Sequence, residues 1–283
     1  MFTVLSAKDY FEPHYVLRKS LPTFVAHVAE WERLSADEHF SGYDVSVEHY
    51  GDHPRQTMEI FKARSGEVGQ GLAIFIHGGF WRAMEREQSR FMATPFLKRG
   101  IDCVIIEYRL MPGFRLADLV ADTVSALRRI AELAAPMKFS DRRILAGHSA
   151  GAHLALYGTA IAREDAIPQR QTAFLFFSGV FDIFAIQETS LGDELKMPLD
   201  EVARWSVYSG ADLAGLPALF ICGGDETDDF KRQTFIGAQM LGRGKERNIL
   251  LVDGANHLTL LTEFAGNDVL FDAIIDRLYA AVP

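Results

Sequence analysis

The stretch Gly147-His148-Ser149-Ala150-Gly151 decides the fold, because of what stands on either side of it. The run Arg143–Ala146 before it is typical of a short buried strand, and the small-residue run Ala152–Tyr157 after it favours a helix. A Gly-x-Ser-x-Gly turn between a strand and a helix is the pattern of a nucleophile elbow, a sharp turn that holds the serine hydroxyl clear of the backbone. The flanking positions are glycines because the turn leaves little room for side chains. We therefore predict that Ser149 is a nucleophile.

Apolar runs of strand length alternate with helix-patterned segments from about residue 70 onward. The predicted strands are Leu72–Ile76, Cys103–Glu107, Ile144–Ala146, Phe174–Phe177, Ala218–Cys222 and Ile249–Val252. The predicted helices are Glu87–Lys98, Leu116–Leu133, Ala150–Ile161, Phe230–Leu241 and Asp268–Ala281. Continuous apolar strands separated by helices indicate an α/β fold, with a mainly parallel central sheet and helices on both faces.

The rest of the chain is expected to complete a single domain over residues 1–283. Residues 45–50 and 57–62 alternate in polarity and are predicted to form an antiparallel edge of the sheet. The first forty residues have helical periodicity, and we expect residues 1–40 to pack as a cover. Residues 178–216 contain no clear strand; after a strand's carboxyl end, such a segment is expected to lie above the active site as a small lid.

Composition narrows the class of protein. The formal net charge of −9 argues against nucleic acid or an anionic membrane as a partner. The apolar runs are of strand length and Met1–Val4 has no basic leader pattern, so neither a membrane span nor a signal peptide is expected. Cys103 and Cys222 lie in apolar runs, as small buried side chains in a reducing compartment would, which favours the cytoplasm. A homodimer is compatible with the sequence, which does not specify the oligomeric state.

A serine nucleophile needs a general base, which the chain order places downstream. His257 follows the last predicted strand in a loop at its carboxyl end, and it is the best candidate among nine histidines. His148 lies inside the elbow and is expected to point away from Ser149. His153, on the following helix, is expected to pack or cap there, and His77 to hold its own loop by hydrogen bonds.

The acid should come from the loop after the preceding strand, which gives the order Ser, Asp/Glu, His. Residues 222–230 offer four carboxylates. Glu226 stands three residues beyond Gly223, the spacing expected from strand end to acid, and is favoured. Asp225 is the competitor, one position nearer the strand. Asp228 and Asp229 are expected to serve as negative charges at the start of the next helix.

The donors for an oxyanion are predicted in His77-Gly78-Gly79-Phe80-Trp81, directly after the first long strand. Gly78 and Gly79 would let the backbone approach a substrate, and the N–H of Ala150 would complete the oxyanion hole. Phe80 and Trp81 are candidates for the substrate pocket; each is either a pocket wall or part of the core, and at least one of them is predicted to be a wall. This mechanism needs no metal, and no Gly-x-Gly-x-x-Gly or phosphate-loop pattern indicates a nucleotide cofactor.

The motifs at residues 77–81 and 147–153 together resemble the kynurenine formamidase (arylformamidase) branch of the α/β-hydrolases, which is related to the hormone-sensitive-lipase-like esterases. Further segments are similar to those of bacterial relatives: Pro13–Trp31, Tyr50-Gly51, Pro54–Gln56, Tyr108-Arg109, Ser178–Asp182 and Phe230–Gln233. In the family, the acid stands shortly before the segment that corresponds to Phe230–Gln233, and this spacing implies that the acid is Glu226. Phe80 stands where the esterases have a third glycine, which favours the formamidase branch, whereas Leu191–Leu195 replaces a segment in which formamidase-like relatives tend to have an asparagine.

The resemblance implies a serine hydrolase without cofactors that cleaves small ester or aryl-formamide bonds through an acyl-enzyme. A general small-molecule carboxylesterase, a thioesterase or a peptidase would use the same residues. A non-catalytic binding or receptor module of the same fold is the alternative from another class, and it normally follows the loss of a triad member.

Overall fold

The computed structural model describes residues 6–64, 66–162, 166, 172–206, 216–240 and 248–280, and every structural statement below concerns these residues. The strands are β1 Asp44–His49, β2 Thr57–Lys62, β3 Gly71–Ile76, β4 Ile101–Ile106, β5 Arg143–His148, β6 Thr172–Phe177, β7 Ala218–Gly223 and β8 Ile249–Val252. They form one sheet in the order β1-β2-β4-β3-β5-β6-β7-β8.

The sheet is parallel from β4 through β8, and only β1 and β2 run against their neighbours. The predicted antiparallel edge and the mainly parallel α/β sheet are therefore confirmed. Although residues 57–62 alternate in polarity, every residue of β2 is buried. β2 is not an edge strand: it lies between β1 and β4, and the 3₁₀ helix Arg86–Ala93 packs against it.

Helices cover both faces of the sheet and form two apolar cores. Their bounds are α1 Ala7–Tyr15, α2 Leu17–Ser20, α3 Phe24–Leu34, α4 Thr94–Leu97, α5 Leu116–Leu133, α6 Ala150–Ala162, α7 Phe184–Gln187, α8 Ser190–Leu195, α9 Leu199–Trp205, α10 Asp228–Gln239, α11 Thr259–Gly266 and α12 Asp268–Ala280. A second 3₁₀ helix spans Asp37–Phe40. Of the predicted helices, Glu87–Lys98 is a 3₁₀ helix followed by α4, and α11 had no counterpart in the sequence prediction.

The segments expected as cover and lid are helical where described. Residues 6–40, the N-terminal cover, contain α1 to α3; residues 1–5 of the predicted cover lie outside the described residues. The predicted lid contains α7, α8 and α9, and its residues 207–215 also lie outside them. Within the described ranges, none of the helices has the length and apolar character that crossing a bilayer requires. Cys103 and Cys222 are buried and free, as expected.

Candidate active site

The elbow residue Ser149 stands between β5 and α6 with a left-handed backbone, at φ 54°. Such a conformation is uncommon for a residue other than glycine and is found where the surrounding structure enforces it. The enforcement is visible at both glycines: a Cβ on Gly147 would lie 2.4 Å from the carbonyl oxygen of Gly151, and one on Gly151 would lie 2.1 Å from that of Ile76. The predicted strand, turn and helix thus have the geometry of an elbow.

The Ser149 hydroxyl is buried and has no hydrogen-bond partner among the described residues. Its main chain, by contrast, is well held: the N–H donates to the Phe177 carbonyl at 2.9 Å, and the carbonyl accepts from Ala152 at 3.1 Å. A hydroxyl without a partner on a fixed backbone is free to engage a base or a substrate when one arrives.

His257 and Glu226 form a buried pair at the carboxyl ends of β8 and β7. His257 Nδ1 donates to Glu226 Oε2 at 2.8 Å. Burial opposes ionisation of the Glu226 carboxyl, but the adjacent His257 and the hydrogen bonds from His257, Ser178 and Gly223 outweigh it and hold the pKa below its usual range. A carboxylate that fixes the imidazole by Nδ1 leaves Nε2 as the nitrogen for proton transfer.

The other carboxylates of this loop lie elsewhere. Asp225 is exposed, and its N–H donates to the Ala255 carbonyl at 2.9 Å. Asp228 is exposed in the first turn of α10, as expected of a helix-start charge. Asp229 also lies in the first turn of α10, as expected. In addition it is buried and accepts from the Tyr15 hydroxyl and from Arg232 at 2.6 Å, so it anchors the N-terminal cover to α10.

The loop after β3 brings its two glycines to the elbow. A Cβ on Gly78 would lie 3.1 Å from the Cβ of Ser149, so glycine allows this close approach. Gly79 has φ 101°, and a Cβ there would lie 2.1 Å from the Ala83 carbonyl oxygen. Within the described part of the chain, no group accepts a hydrogen bond from the N–H of Gly78, Gly79 or Ala150. Of Gly78 and Gly79, it is Gly79 that lines the adjacent cavity.

A buried glutamate that sequence reasoning missed holds this loop. Glu107, directly after β4, accepts from His77 Nε2 at 3.1 Å, from Arg55 Nη2 at 2.6 Å and from the N–H of Arg86 at 2.8 Å. The Tyr108 ring stacks on the His77 ring, and the Tyr108 hydroxyl donates to the His77 carbonyl at 2.9 Å. His77 therefore holds the loop by side-chain hydrogen bonds, as the sequence predicted. A glutamate at the end of an otherwise apolar strand was the available signal.

The two aromatic residues of this loop separate. Phe80 lines the cavity, whereas Trp81 is fully buried, is absent from the lining and packs edge-on against His153. The prediction that Trp81 lines the substrate pocket is therefore wrong. Both residues have left-handed backbones, φ 49° and 58°, and successive turns of this kind send neighbouring side chains in different directions.

A cavity of about 480 Å³ opens over Ser149 and His257. Phe80, Arg82 and Met84 line it from the β3 loop, and Leu191 and Glu194 from α8. The N-terminal cover contributes a larger part of its lining: Tyr15, Val16, Leu17, Arg18, Lys19, Phe24, Val28 and Trp31. The cavity has the size and the largely apolar lining of a small-molecule site.

The cover and α8 are joined beside the cavity. Glu12 accepts from the Ser190 N–H and hydroxyl at 2.7 Å each and from Lys19 Nζ at 2.6 Å. Arg82 of the β3 loop pairs with Glu194 of α8 at 2.7 Å. The segments that line the cavity are thus tied to each other by polar contacts.

The other two histidines near the elbow are neutral. Burial and the neighbouring His257 lower the pKa of His148, whose Nε2 lies 3.0 Å from the His257 carbonyl. The centroid of its ring lies 4.6 Å from that of His257. Burial lowers the pKa of His153 to about 4, and its Nε2 donates to the Trp205 carbonyl at 2.8 Å. His153 therefore packs and caps the end of α9, as expected.

No group of three or more His, Cys, Asp or Glu side chains suited to a metal ion occurs in the ranges that the structure describes.

Comparisons with known proteins agree with this architecture. The kynurenine formamidase of Salmo salar is 30% identical over 156 residues, which cover 54% of this chain and 51% of that protein. The chain thus spans about half the length of this relative. The kynurenine formamidase of Drosophila melanogaster is 23% identical over 281 residues and 92% of each chain. A solved structure from a Silicibacter species, assigned as a thioesterase, matches with a TM-score of 0.78 at 20% identity over 94% of this chain and 98% of that chain, and this likeness shows the fold.

The family model described as BD-FAE matches residues 58–216, more than half of the 283 residues. This range contains the β3 loop and the elbow. The chain belongs to the BD-FAE family and is an α/β-hydrolase of the arylformamidase and hormone-sensitive-lipase-like branch.

Proposed function

We propose that the protein is a serine hydrolase that cleaves small ester or aryl-formamide bonds through an acyl-enzyme. The observation that carries the proposal is the buried His257–Glu226 pair: His257 lines the same cavity as Ser149, whose hydroxyl has no partner among the described residues. Nucleophile, base and orienting acid occur in hydrolase chain order on the ends of parallel strands.

In the first step, Ser149 Oγ attacks the substrate carbonyl carbon while His257 Nε2 takes the hydroxyl proton. The N–H groups of Gly78, Gly79 and Ala150 are the proposed donors to the oxyanion, and none of the three has another acceptor among the described residues. His257 then passes the proton to the leaving alcohol or amine, and the acyl group stays on Ser149. Water, deprotonated by His257, attacks the acyl carbon, and the acid leaves as the serine is reprotonated.

Glu226 is the acid in this proposal, and Asp225 is not. Glu226 is buried against His257, whereas Asp225 is exposed and has no side-chain hydrogen bond among the described residues. An acid that stabilises the imidazolium in the transition state must contact it directly.

The relatives support an aryl formamide as the substrate, since the two kynurenine formamidases named above match this chain. Phe80 and the aromatic side chains Phe24 and Trp31 of the cover suit an aryl leaving group, because they line the cavity beside Ser149. A small ester would react by the same steps. Buried, free Cys103 and Cys222 suit a reducing compartment and support a cytoplasmic location.

A fluorophosphonate tests the chemistry before the substrate is known. We expect the intact protein to gain one adduct, mapped to Ser149 by peptide mass analysis, and the Ser149→Ala variant to gain none. Folded wild-type protein that stays unlabelled would contradict the proposal.

Turnover of N-formylkynurenine, compared with p-nitrophenyl acetate and longer acyl esters, then separates the substrate classes. A preference for N-formylkynurenine is expected. A preference for long acyl chains would reject the formamide and leave an esterase.

A further inference from the structure

The loop after β6, Ser178–Asp182, lies between the nucleophile and the acid. The N–H of Val180 donates to the Ser149 carbonyl at 3.4 Å, and the N–H of Ser178 donates to the Ile221 carbonyl of β7 at 2.7 Å. Ser178 is fully buried, and its backbone is left-handed, with φ 46°. This conformation turns its hydroxyl toward Glu226, to which it donates.

The two oxygens of Glu226 have separate partners. Oε1 accepts from the Ser178 hydroxyl and from the N–H of Gly223 at 2.7 Å, and Oε2 accepts from His257 Nδ1 at 2.8 Å. A carboxylate held on one oxygen by two donors cannot rotate without breaking both bonds. The other oxygen is then fixed in direction.

We propose that Ser178 is a positioning residue for the hydrolysis, whose hydroxyl anchors Glu226 Oε1 so that Oε2 stays on His257. The inference rests on the proposed function of the site. It gives the Ser178–Asp182 loop a task beyond connecting β6 to the lid: it fixes the elbow through Val180 and the acid through Ser178.

The main chain of Ser178 offers a way to separate the hydroxyl from the backbone. Glycine adopts φ 46° readily, so Ser178→Gly removes the hydroxyl and relieves the backbone. Ser178→Ala removes the hydroxyl and keeps the strain. If only the turn mattered, the glycine variant would retain full activity.

We expect both variants to lower kcat for p-nitrophenyl acetate by about 10- to 100-fold with KM unchanged, because a small misplacement of the base costs this much. Ser35→Ala is the matched control. Ser35 is also buried, but its hydroxyl accepts from the N–H of Phe91 and makes no contact with the triad, so kcat should stay near wild type. Wild-type kcat in folded Ser178→Gly would overturn the inference.

A double-mutant cycle tests whether Ser178 acts through Glu226. In a Glu226→Gln background, Ser178→Gly should lower kcat by less than a further factor of about two, since the effects of residues that act as a unit are not additive. A full additional loss would show that Ser178 acts independently, against the inference.

A readout without turnover keeps this test apart from the proposed function. The downfield proton resonance of His257 Nδ1–H, followed by NMR, should shift in Ser178→Gly and stay in place in Ser35→Ala. Absence of fluorophosphonate labelling in the wild type contradicts the hydrolase. An unmoved resonance in Ser178→Gly contradicts the role of Ser178 alone.

Discussion

Two buried histidine–glutamate pairs lie at the carboxyl edge of the sheet, and they differ in what the second ring nitrogen faces. His257 bonds Glu226 by Nδ1, and its ring lines the cavity beside Ser149. His77 bonds Glu107 by Nε2, while its Nδ1 lies 2.9 Å from the Gly78 carbonyl and the whole residue is enclosed.

The surroundings of the enclosed pair occupy every polar atom of the ring. Burial opposes ionisation of Glu107, but His77, Arg55 and the Arg86 N–H together lower its pKa, so the carboxyl is ionised. Both nitrogens of His77 face protein oxygens, Glu107 at Nε2 and the Gly78 carbonyl at Nδ1. A histidine held at both nitrogens has none left to face a nucleophile or a substrate. A histidine–glutamate pair is therefore a candidate for catalysis only where one nitrogen remains open, as in His257.

Disruption of the His257–Glu226 pair should give the largest loss of activity. We expect His257→Gln to lower kcat/KM for p-nitrophenyl acetate by about 10⁴-fold, because the base that activates Ser149 is lost. His39→Gln, an exposed histidine of the 3₁₀ helix Asp37–Phe40, is the control. A loss of less than about tenfold would contradict the role of His257 as the base.

Disruption of the enclosed His77–Glu107 pair should mainly lower the free energy of unfolding. In Glu107→Gln the amide replaces the buried carboxylate that pairs with Arg55 and bonds His77, and breaking a buried pair in this way costs about 3–5 kcal/mol. Urea denaturation should show that loss in the free energy of unfolding. A change below about 1 kcal/mol would mean that the pair does not hold the loop.

His153, which has no carboxylate partner among the described residues, extends the comparison to the pH dependence of stability. Its pKa of about 4 lies below the ordinary 6.5, so the unfolded chain binds the proton more tightly than the folded one. His153 thus stabilises the fold fully above pH 6.5, and about 3 kcal/mol is lost as pH falls from 6.5 to 4.

Urea denaturation at several pH values checks this sign. His153→Gln keeps a donor for the Trp205 carbonyl but cannot titrate. The variant should therefore lack the part of the stability loss at low pH that protonation of His153 causes. An identical pH dependence in both proteins would refute the assignment.

The smallest effect is expected at the exposed neighbour of the acid. Asp225→Asn should change kcat/KM by less than about twofold, as is usual for a surface substitution without a buried partner. Glu226→Gln, assayed beside it, should approach the loss in His257→Gln. A larger loss from Asp225→Asn would reverse the choice of acid.

The sequence predicted the strands and the elbow well, because local residue types dictate them. Gly147 and Gly151 are required by contacts of under 2.5 Å that any Cβ would make, and apolar runs of strand length have few alternatives in a buried parallel sheet. α11 escaped prediction because its eight residues directly follow the His257 loop, too short a stretch for periodicity to stand out.

Other parts of the site depend on contacts between residues that are far apart in sequence, and no local sequence pattern predicts such contacts. Ser178 and Glu226 are 48 residues apart in sequence, and Tyr15 and Asp229 are 214 apart. The sequence could not show which of Phe80 and Trp81 lines the cavity, because the direction of each ring depends on the left-handed backbone of these two consecutive residues. Sequence reasoning also gave the space above the site to the segment after β6, whereas the N-terminal cover lines more of it.

The long separation between Tyr15 and Asp229 has a consequence for synthesis on the ribosome. The cover is translated first, yet the α10 residues that anchor it, Asp229 and Gln233, emerge more than two hundred residues later. The elbow at Ser149 can form while the nascent chain still lacks its substrate chamber. His257, the proposed base, emerges later still, so the residues that anchor the chamber are translated before the residue that activates Ser149.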